Sequence, residues 1–467
     1  MSDSVNMREL AADILLEVTD RGAYSSILLR DVLNKYRYLP RRERAFLTRL
    51  VYGTLERLLE MDVILDQFSN TKVKKMKPFI RSLLRMSVYQ LKYMDAVPAS
   101  AVCSEAVKLA EKRGFGGLKG FVNGVLRNIS RNPDAVVYPD PEKEPVRHLS
   151  VTCSVPEWII SMWEREFGME ETKAACAAFL DAAPLTVRPN LSKISEKELK
   201  RRLRAEGVSV RECRISRNAD ARSLFLPAGK DIPSADKTGY VSGGEDSEFT
   251  VFSLSGYDTL EDLASFKEGL FFVQDLTSIL AIERAGIRPG DVVLDLCAAP
   301  GGKALHAAQK AGASGFVEAR DLSEAKTDLI EENIARSGLT KIRAVRHDAR
   351  TPDESWRGLA DVVIADLPCT GLGVLGRKPE IRYRIQPEDI ENLAALQREI
   401  LAAAQEYVKP GGCLLYSTCT LTAAENRENA AWFAEHFDSF AAEYEEQLLP
   451  RAGVHDGFFF SKFVRVK

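Results

Sequence analysis

Two cysteines follow apolar, strand-like runs: Cys369 in Asp366-Leu367-Pro368-Cys369-Thr370-Gly371, and Cys419 in Tyr416-Ser417-Thr418-Cys419-Thr420. In an α/β sheet, catalytic groups gather in the crevice beyond the carboxyl ends of the strands, so two thiols at neighbouring strand ends can share one pocket. A third run, Val292-Val293-Leu294-Asp295-Leu296-Cys297, opens into Ala298-Ala299-Pro300-Gly301-Gly302-Lys303. Its two adjacent glycines allow unusual backbone angles and let a ligand approach main-chain N–H groups at the start of the next helix. Together the three segments point to thiol chemistry beside a bound cofactor.

The turn fails two nearby templates. Cys297 stands where a phosphate-binding loop needs its first glycine, and Ala304 replaces the Ser/Thr that would hold magnesium, so an ATP loop does not fit. The turn also lacks Gly-x-Gly-x-x-Gly, which weakens a dinucleotide reading. An adenosyl ligand fits better. Asp321 ends the next strand, where it can accept hydrogen bonds from ribose hydroxyls, and Asp348 follows the strand Ile342 to Arg346. With Asp366, these strand-end carboxylates could address the sugar, the adenine amino group or the cationic end of S-adenosylmethionine. Any one of them alone reads more readily as a turn former or helix cap; the set together favours the ligand.

Of the eight cysteines, Cys103, Cys153, Cys176, Cys213 and Cys413 read as small buried apolar residues, and Cys297 as packing beneath the cofactor turn. Cys369 and Cys419 differ, because each ends a strand just before turn-forming or polar sequence. Two thiols suit one demanding reaction. Cytosine C5 is a poor nucleophile, but a thiolate added at C6 makes the ring an enamine whose C5 can attack a cationic methyl donor. Breaking the adduct then requires removal of the C5 proton and expulsion of the sulfur. One cysteine can make the bond while the other, or a nearby base, assists its breakage. A free thiol has a pKa of about 8.5, so a helix N-terminus or a cation is needed to raise its reactive fraction.

From Gly269 onward, apolar strands alternate with amphipathic helices: Val292 to Leu296, Gly315 to Ala319, Ile342 to Arg346, Val362 to Ala365 and Cys413 to Ser417. Such alternation predicts a parallel sheet covered by helices on both faces, with Gly457 to Phe463 as a final strand. Residues 7 to 131 read as a helical bundle, with Leu10, Ile14 and Val18 on one stripe and Ile80, Leu83, Leu84, Val88 and Leu91 on another. The pattern stops at Asn132-Pro133-Asp134 and Tyr138-Pro139-Asp140-Pro141, a linker. From His148 to about Ser265, helices (Glu157 to Phe167, Ser195 to Glu206) mix with short strands such as Leu185 to Arg188. Residues 228 to 248 read as a surface loop. The expected architecture is therefore multidomain: an all-α bundle over 1–135, a small α+β, RRM-like domain over 146–268, and a Rossmann-like α/β domain over 269–467.

The net charge of -3 hides an asymmetry: residues 1 to 135 carry 23 Lys and Arg against 15 Asp and Glu, the remainder 41 against 52. A basic module joined to an acidic one suits a polyanionic partner, and equally a solvated surface. Candidates for RNA backbone contacts are Lys72, Lys74, Lys75, Lys77, Arg81, Arg85 and Arg127, with Arg377 and Lys378 beside the Cys369 loop. With no secretory or membrane-spanning signal, the cysteines read as reduced thiols in a cytosolic protein. No Cys-x-x-Cys or His-x-x-x-His pair is present, so no metal is expected.

The motifs Asp295 to Lys303, Asp366-x-Pro368-Cys369-x-Gly371, Ser417-Thr418-Cys419 and His455-Asp456-Gly457-Phe458-Phe459 together resemble those of the RsmB/Sun (Fmu) ribosomal RNA cytosine-5 methyltransferases. The segment carrying Val97-Pro98, Glu105-Ala106-Val107 and Phe121 to Arg127 is similar to the NusB-like RNA-binding domain of that subgroup. The resemblance implies that Cys419 is the nucleophile, that Cys369 assists product release, and that Cys297 to Lys303, Asp321, Asp348 and Asp366 bind S-adenosylmethionine, Asp366 also contacting the base. It further implies a bacterial 16S rRNA substrate, free or partly assembled, met by a monomer. Leu367 and Thr370 stand where Ala and Ser are usual, and Ala304 where Thr is common. Amino-group methylation is disfavoured because Cys369 occupies the place of the aromatic in Asp/Asn-Pro-Pro-aromatic. A non-catalytic RNA assembly factor, or the same chemistry on another RNA such as tRNA, is the competing expectation.

Overall fold

The computed structural model describes residues 5–181, 183–216 and 248–467; the expected surface loop over 228–248 lies, save its last residue, outside them. The chain forms two compact units, Met1–Leu180 with Leu375–Ile385, and Asp181–Val374 with Gln386–Lys467.

The first unit is all helical. Helix Met7–Asp20 starts where the Asn6 side chain accepts the N–H groups of Arg8 and Glu9, satisfying donors that a helix start leaves unpaired. Helix Pro78–Tyr93 begins with proline, which costs nothing at a first turn. Its Ile80, Leu83, Leu84 and Val88 are buried with Ile14, Leu15 and Val18 in one core. The sequence places a boundary after 135, yet helices Pro145–Cys153, Glu157–Phe167 and Met169–Ala178 join this unit. Polar anchors explain the attachment: Arg57 donates to the Thr152 carbonyl at 2.8 Å, and Glu60 N–H to Ser154 Oγ at 3.3 Å.

Segment Leu375–Ile385, which continues the Cys369 loop, is folded into the same unit. The buried Glu380 accepts Ser25 N–H at 3.0 Å and its hydroxyl at 2.9 Å, and the fully buried Arg382 donates to the carbonyls of Cys153 (3.0 Å) and Leu375 (2.8 Å).

The second unit holds two sheets. The smaller comprises β1 (Leu185–Pro189), β2 (Ser209–Ser216), β3 (Glu248–Ser255) and β4 (Phe271–Val273) in the antiparallel order β2-β3-β1-β4. Helix Glu196–Ala205 joins β1 to β2, and helix Ala264–Lys267 precedes β4. This is the β-α-β-β-α-β plan of ferredoxin-like folds. One face packs Val187, Phe252 and Leu254 on Leu199 and Leu203. The other face, carrying Cys213, Ile215, Val251 and Phe272, is covered by Ile279, Ile282 and their neighbours.

The larger sheet contains β5 (Val292–Asp295), β6 (Phe316–Asp321), β7 (Ile342–Arg346), β8 (Ala360–Asp366), β9 (Val408–Thr418), β10 (Phe440–Leu448) and β11 (Phe458–Arg465) in the order β10-β11-β9-β8-β5-β6-β7. The five strands from β9 to β7 are parallel, as the alternation predicts, whereas β11 pairs antiparallel with both β9 and β10. Strand β10 reads poorly in sequence because Glu443, Glu445 and Glu446 interrupt its alternation, as charged residues often do on an edge strand. The chain reverses its strand order between β5 and β8, which opens the crevice where ligands bind in such sheets.

Candidate active site

Register brings the two thiols together. Strands β8 and β9 run parallel with Asp366 opposite Ser417, so the loops that follow leave the sheet side by side. The Sγ atoms of Cys369 and Cys419 lie 3.4 Å apart. A tight backbone contact also joins these loops: Gly373 N–H donates to the Cys419 carbonyl at 3.0 Å, and Gly457 N–H to the Gly373 carbonyl at 2.8 Å. A Cβ on Gly373 would sit 2.8 Å from the Cys419 oxygen and closer still to that of Gly457, so only glycine lets three loops meet here.

The Cys369 thiol is held well above its ordinary range, first by its hydrogen bond with Cys419 and then by burial, with the Cys419 and Glu425 charges adding. Burial and the Asp295, Asp321 and Asp366 carboxylates push the Cys297 thiol up as well, and Cys297 packs against the core cluster behind β5.

The turn after β5 is pinned from two neighbouring strands. Leu296 N–H donates to the Ile364 carbonyl at 3.0 Å, Ala298 N–H to the Arg320 carbonyl at 2.8 Å and Ala299 N–H to Asp321 Oδ2 at 3.0 Å. Pro300 follows a cis peptide bond, and Gly301 adopts φ 104° just before helix Gly302–Ala311. Lys303 Nζ donates to Asp366 Oδ2 at 2.7 Å, and Ser417 Oγ to Asp366 Oδ1 at 2.7 Å. Burial works against the Lys303 charge, but Asp366 and Asp295 outweigh it and raise its pKa. Phe458 covers this ammonium, its ring centroid 5.2 Å from Nζ.

Asp321 also accepts Leu322 N–H at 2.8 Å and pairs with Lys326 at 3.0 Å. Asp348 is engaged by Arg350 in a two-point contact (3.0 and 2.6 Å) that draws its pKa down to about 2. Asp295 is fully buried, and its carboxylate oxygens have no hydrogen-bond partner of ordinary geometry among the described residues. Burial and the Asp366 charge push it up to about 8, with Lys303 and a loose approach of the Cys297 backbone opposing. The donor set suits S-adenosylmethionine. That molecule offers ribose hydroxyls, amino groups and a sulfonium, and the crevice presents acceptor carboxylates with lone pairs to spare.

Sequence reasoning missed Glu425. It is fully buried and accepts Thr370 N–H at 2.8 Å, Thr370 Oγ–H at 2.6 Å, Thr422 Oγ–H at 2.7 Å and Gln397 Nε–H at 3.2 Å. The Thr422-x-x-Glu425 spacing was the available signal, but it reads as a capping box ahead of a helix.

The RNA candidates fare unevenly. In the first unit, Arg81 is paired with Asp20, and the buried Arg85 grips Asp62 through two bonds of 2.6 Å, so both serve the bundle's own structure. Arg127 lines a groove of about 600 Å³ with Lys108, Lys119 and Arg131. Arg377 and Lys378 belong to the segment folded into this unit. The base-stacking face of RRM-type sheets is unavailable in the small sheet, because Ile279 and Ile282 cover it. Among the described residues, no helix is long and apolar enough to cross a membrane, and no cluster of ligating side chains suits a metal ion.

A Rossmann-like sheet with this turn and these strand-end carboxylates defines an S-adenosylmethionine-dependent methyltransferase. The family model for 16S rRNA methyltransferase RsmB/F matches residues 285–464, that of the NusB family residues 5–131, and that of the RsmF/B-like ferredoxin-like domain residues 155–219. The chain belongs to the RsmB/F methyltransferase family. A relative from Bacillus subtilis (strain 168), named probable ribosomal RNA small subunit methyltransferase B, is 35% identical over 97% of this chain and 94% of its own length. The crystal structure of PH0851 matches with TM-score 0.77 over 98% of this chain and 99% of that chain at 23% identity, a likeness of fold. NSun6 from Pyrococcus horikoshii, solved with SFG, matches with TM-score 0.54 over 67% of this chain and 98% of that one at 25% identity.

Proposed function

We propose that the chain methylates C5 of a cytidine in bacterial 16S rRNA, free or partly assembled, through a transient bond between Cys419 Sγ and C6 of the ring. The 3.4 Å approach of two thiols beside the Lys303–Asp366 pair carries this reading. The 297–303 turn with Asp321, Asp348 and Asp366 would hold S-adenosylmethionine, which when bound would supply an electrophilic methyl group.

Cys419 adds as a thiolate to C6, and the C5–C6 π electrons move toward N3 and the carbonyl. Asp366, an acceptor fixed by Lys303 and Ser417, stabilises a proton at N3. The ring is then an enamine whose C5 takes the methyl group as the methyl–sulfur bond breaks, the electron pair staying on the donor's sulfur, which departs as a neutral thioether. Loss of the C5 proton to a base restores the C5–C6 double bond and expels Cys419 as thiolate.

Cys369 suits this release step. What chiefly raises its pKa is the contact with Cys419; once the Cys419 sulfur is a neutral thioether that cause is gone, so Cys369 can give its own proton to solvent and, as a thiolate, take the proton from C5. The target base must leave its stack to reach the thiols, at a cost of a few kcal/mol. Basic groups of the first unit, Arg127 among them, offset part of it through phosphate contacts. We place the protein in the cytoplasm as a monomer.

The test is to incubate Cys369→Ala with S-adenosylmethionine and 16S rRNA. A denaturant-resistant protein–RNA adduct is expected, absent from Cys369→Ala/Cys419→Ala. An adduct that persists in the double variant would falsify the nucleophile assignment.

A further inference from the structure

Resting on the covalent mechanism above, we infer that Glu425 is a positioning residue that holds the Cys369 loop against the Cys419 loop for product release. The direction of each hydrogen bond can be followed. Thr370 Oγ–H and Thr370 N–H both donate to Glu425. Thr370 Oγ also lies 2.6 Å from Thr420 Oγ; its one proton is committed to Glu425, so Thr420 is the donor there. Leu372 N–H donates in turn to Thr420 Oγ at 3.3 Å. Every proton in the chain thus points toward the carboxylate, joined by those of Thr422 and Gln397. A carboxylate that only accepts is the one group that closes such a network.

The network brackets Cys369 on both sides. Gln397 Nε2 donates to the Pro368 carbonyl at 2.9 Å, and Glu425 takes the N–H of Thr370. On the Cys419 side it grips Thr420 and Thr422. Cys419 has supports of its own: Gly373 N–H donates to its carbonyl, and the preceding Ser417 and Thr418 are paired in β9 with β8 or β11. Loss of the Glu425 acceptor therefore displaces Cys369 first and leaves bond formation by Cys419 in place.

Glu425→Gln is the test, because an amide presents N–H groups to partners that only donate. With S-adenosylmethionine and 16S rRNA, turnover should fall by about 100-fold or more, with KM for RNA little changed and a covalent adduct accumulating as in Cys369→Ala. Thr370→Val, which removes one donor without changing shape, should give the same adduct, and Thr370→Ser should relieve it. Wild-type turnover in Glu425→Gln overturns the inference. So does loss of adduct in Glu425→Gln/Cys369→Ala while Cys369→Ala alone still traps it, since Glu425 then acts on the nucleophile. Absence of adduct in Cys369→Ala itself would instead remove the covalent mechanism.

Discussion

The molecule contains two pairs of apposed thiols in different surroundings. Cys153 and Cys176 share a hydrogen bond inside the helical unit, 8% and 0% exposed, and Cys176 draws the Cys153 pKa down to about 7 while its own rises. Cys369 and Cys419 lie at strand ends, both part-exposed, beside Lys303, Asp366 and the cofactor turn. Proximity and a perturbed thiol are thus found in the helical unit's pair as well. What separates the pair we propose as catalytic is its partial exposure and its place beside the Lys303–Asp366 pair and the 297–303 turn, all delivered by the strand order of one sheet.

The sharpest way to break this comparison is to exchange the roles. Cys419→Ala should abolish methylation of 16S rRNA in a tritiated-methyl transfer assay, while Cys176→Ala keeps it. Next in size, Cys369→Ala should trap RNA covalently on denaturing gels, whereas Cys176→Ala, which leaves in place Cys153, the low-pKa thiol of the helical pair, should not. A trapped adduct in the latter would mean that a low thiol pKa suffices.

The polar surroundings of the catalytic pair provide two smaller tests. The folded state holds a proton on Asp295 that the unfolded chain has released between pH 3.8 and about 8. Stability of the cofactor-free protein should therefore fall as pH rises through that window, with a limiting slope of about 1.4 kcal/mol per pH unit. Asp295→Asn should flatten the curve in urea titrations at several pH values; an unchanged slope would show that Asp295 is ionised when folded. Asp321→Asn should weaken S-adenosylmethionine by about tenfold in calorimetry, the value of one hydrogen bond to a charged group. The smallest effect belongs to the helical pair: Cys153→Ala should cost about 1–2 kcal/mol of stability with no change in turnover.

Local pattern made much of this legible. Strands β5 to β9 announce themselves as apolar runs ending at Asp295, Asp321, Arg346, Asp366 and Thr418, and the site residues sit at those ends because parallel sheets place them there. Long-range pairing stayed hidden. Nothing near Arg85 in the sequence reveals that Asp62 takes up its charge. Nothing near Glu380 and Arg382 shows that a segment continuing the Cys369 loop is buried in the helical unit. Glu425 was hidden for a related reason, since a glutamate just ahead of a helix ordinarily faces water, and only the fold turns it inward toward Thr370.

The most direct test of the central claim is nucleoside analysis of 16S rRNA after incubation with Cys419→Ser and S-adenosylmethionine. The account predicts no 5-methylcytidine above background, because a serine hydroxyl is a poor nucleophile toward C6. Formation of 5-methylcytidine at the wild-type rate would contradict it.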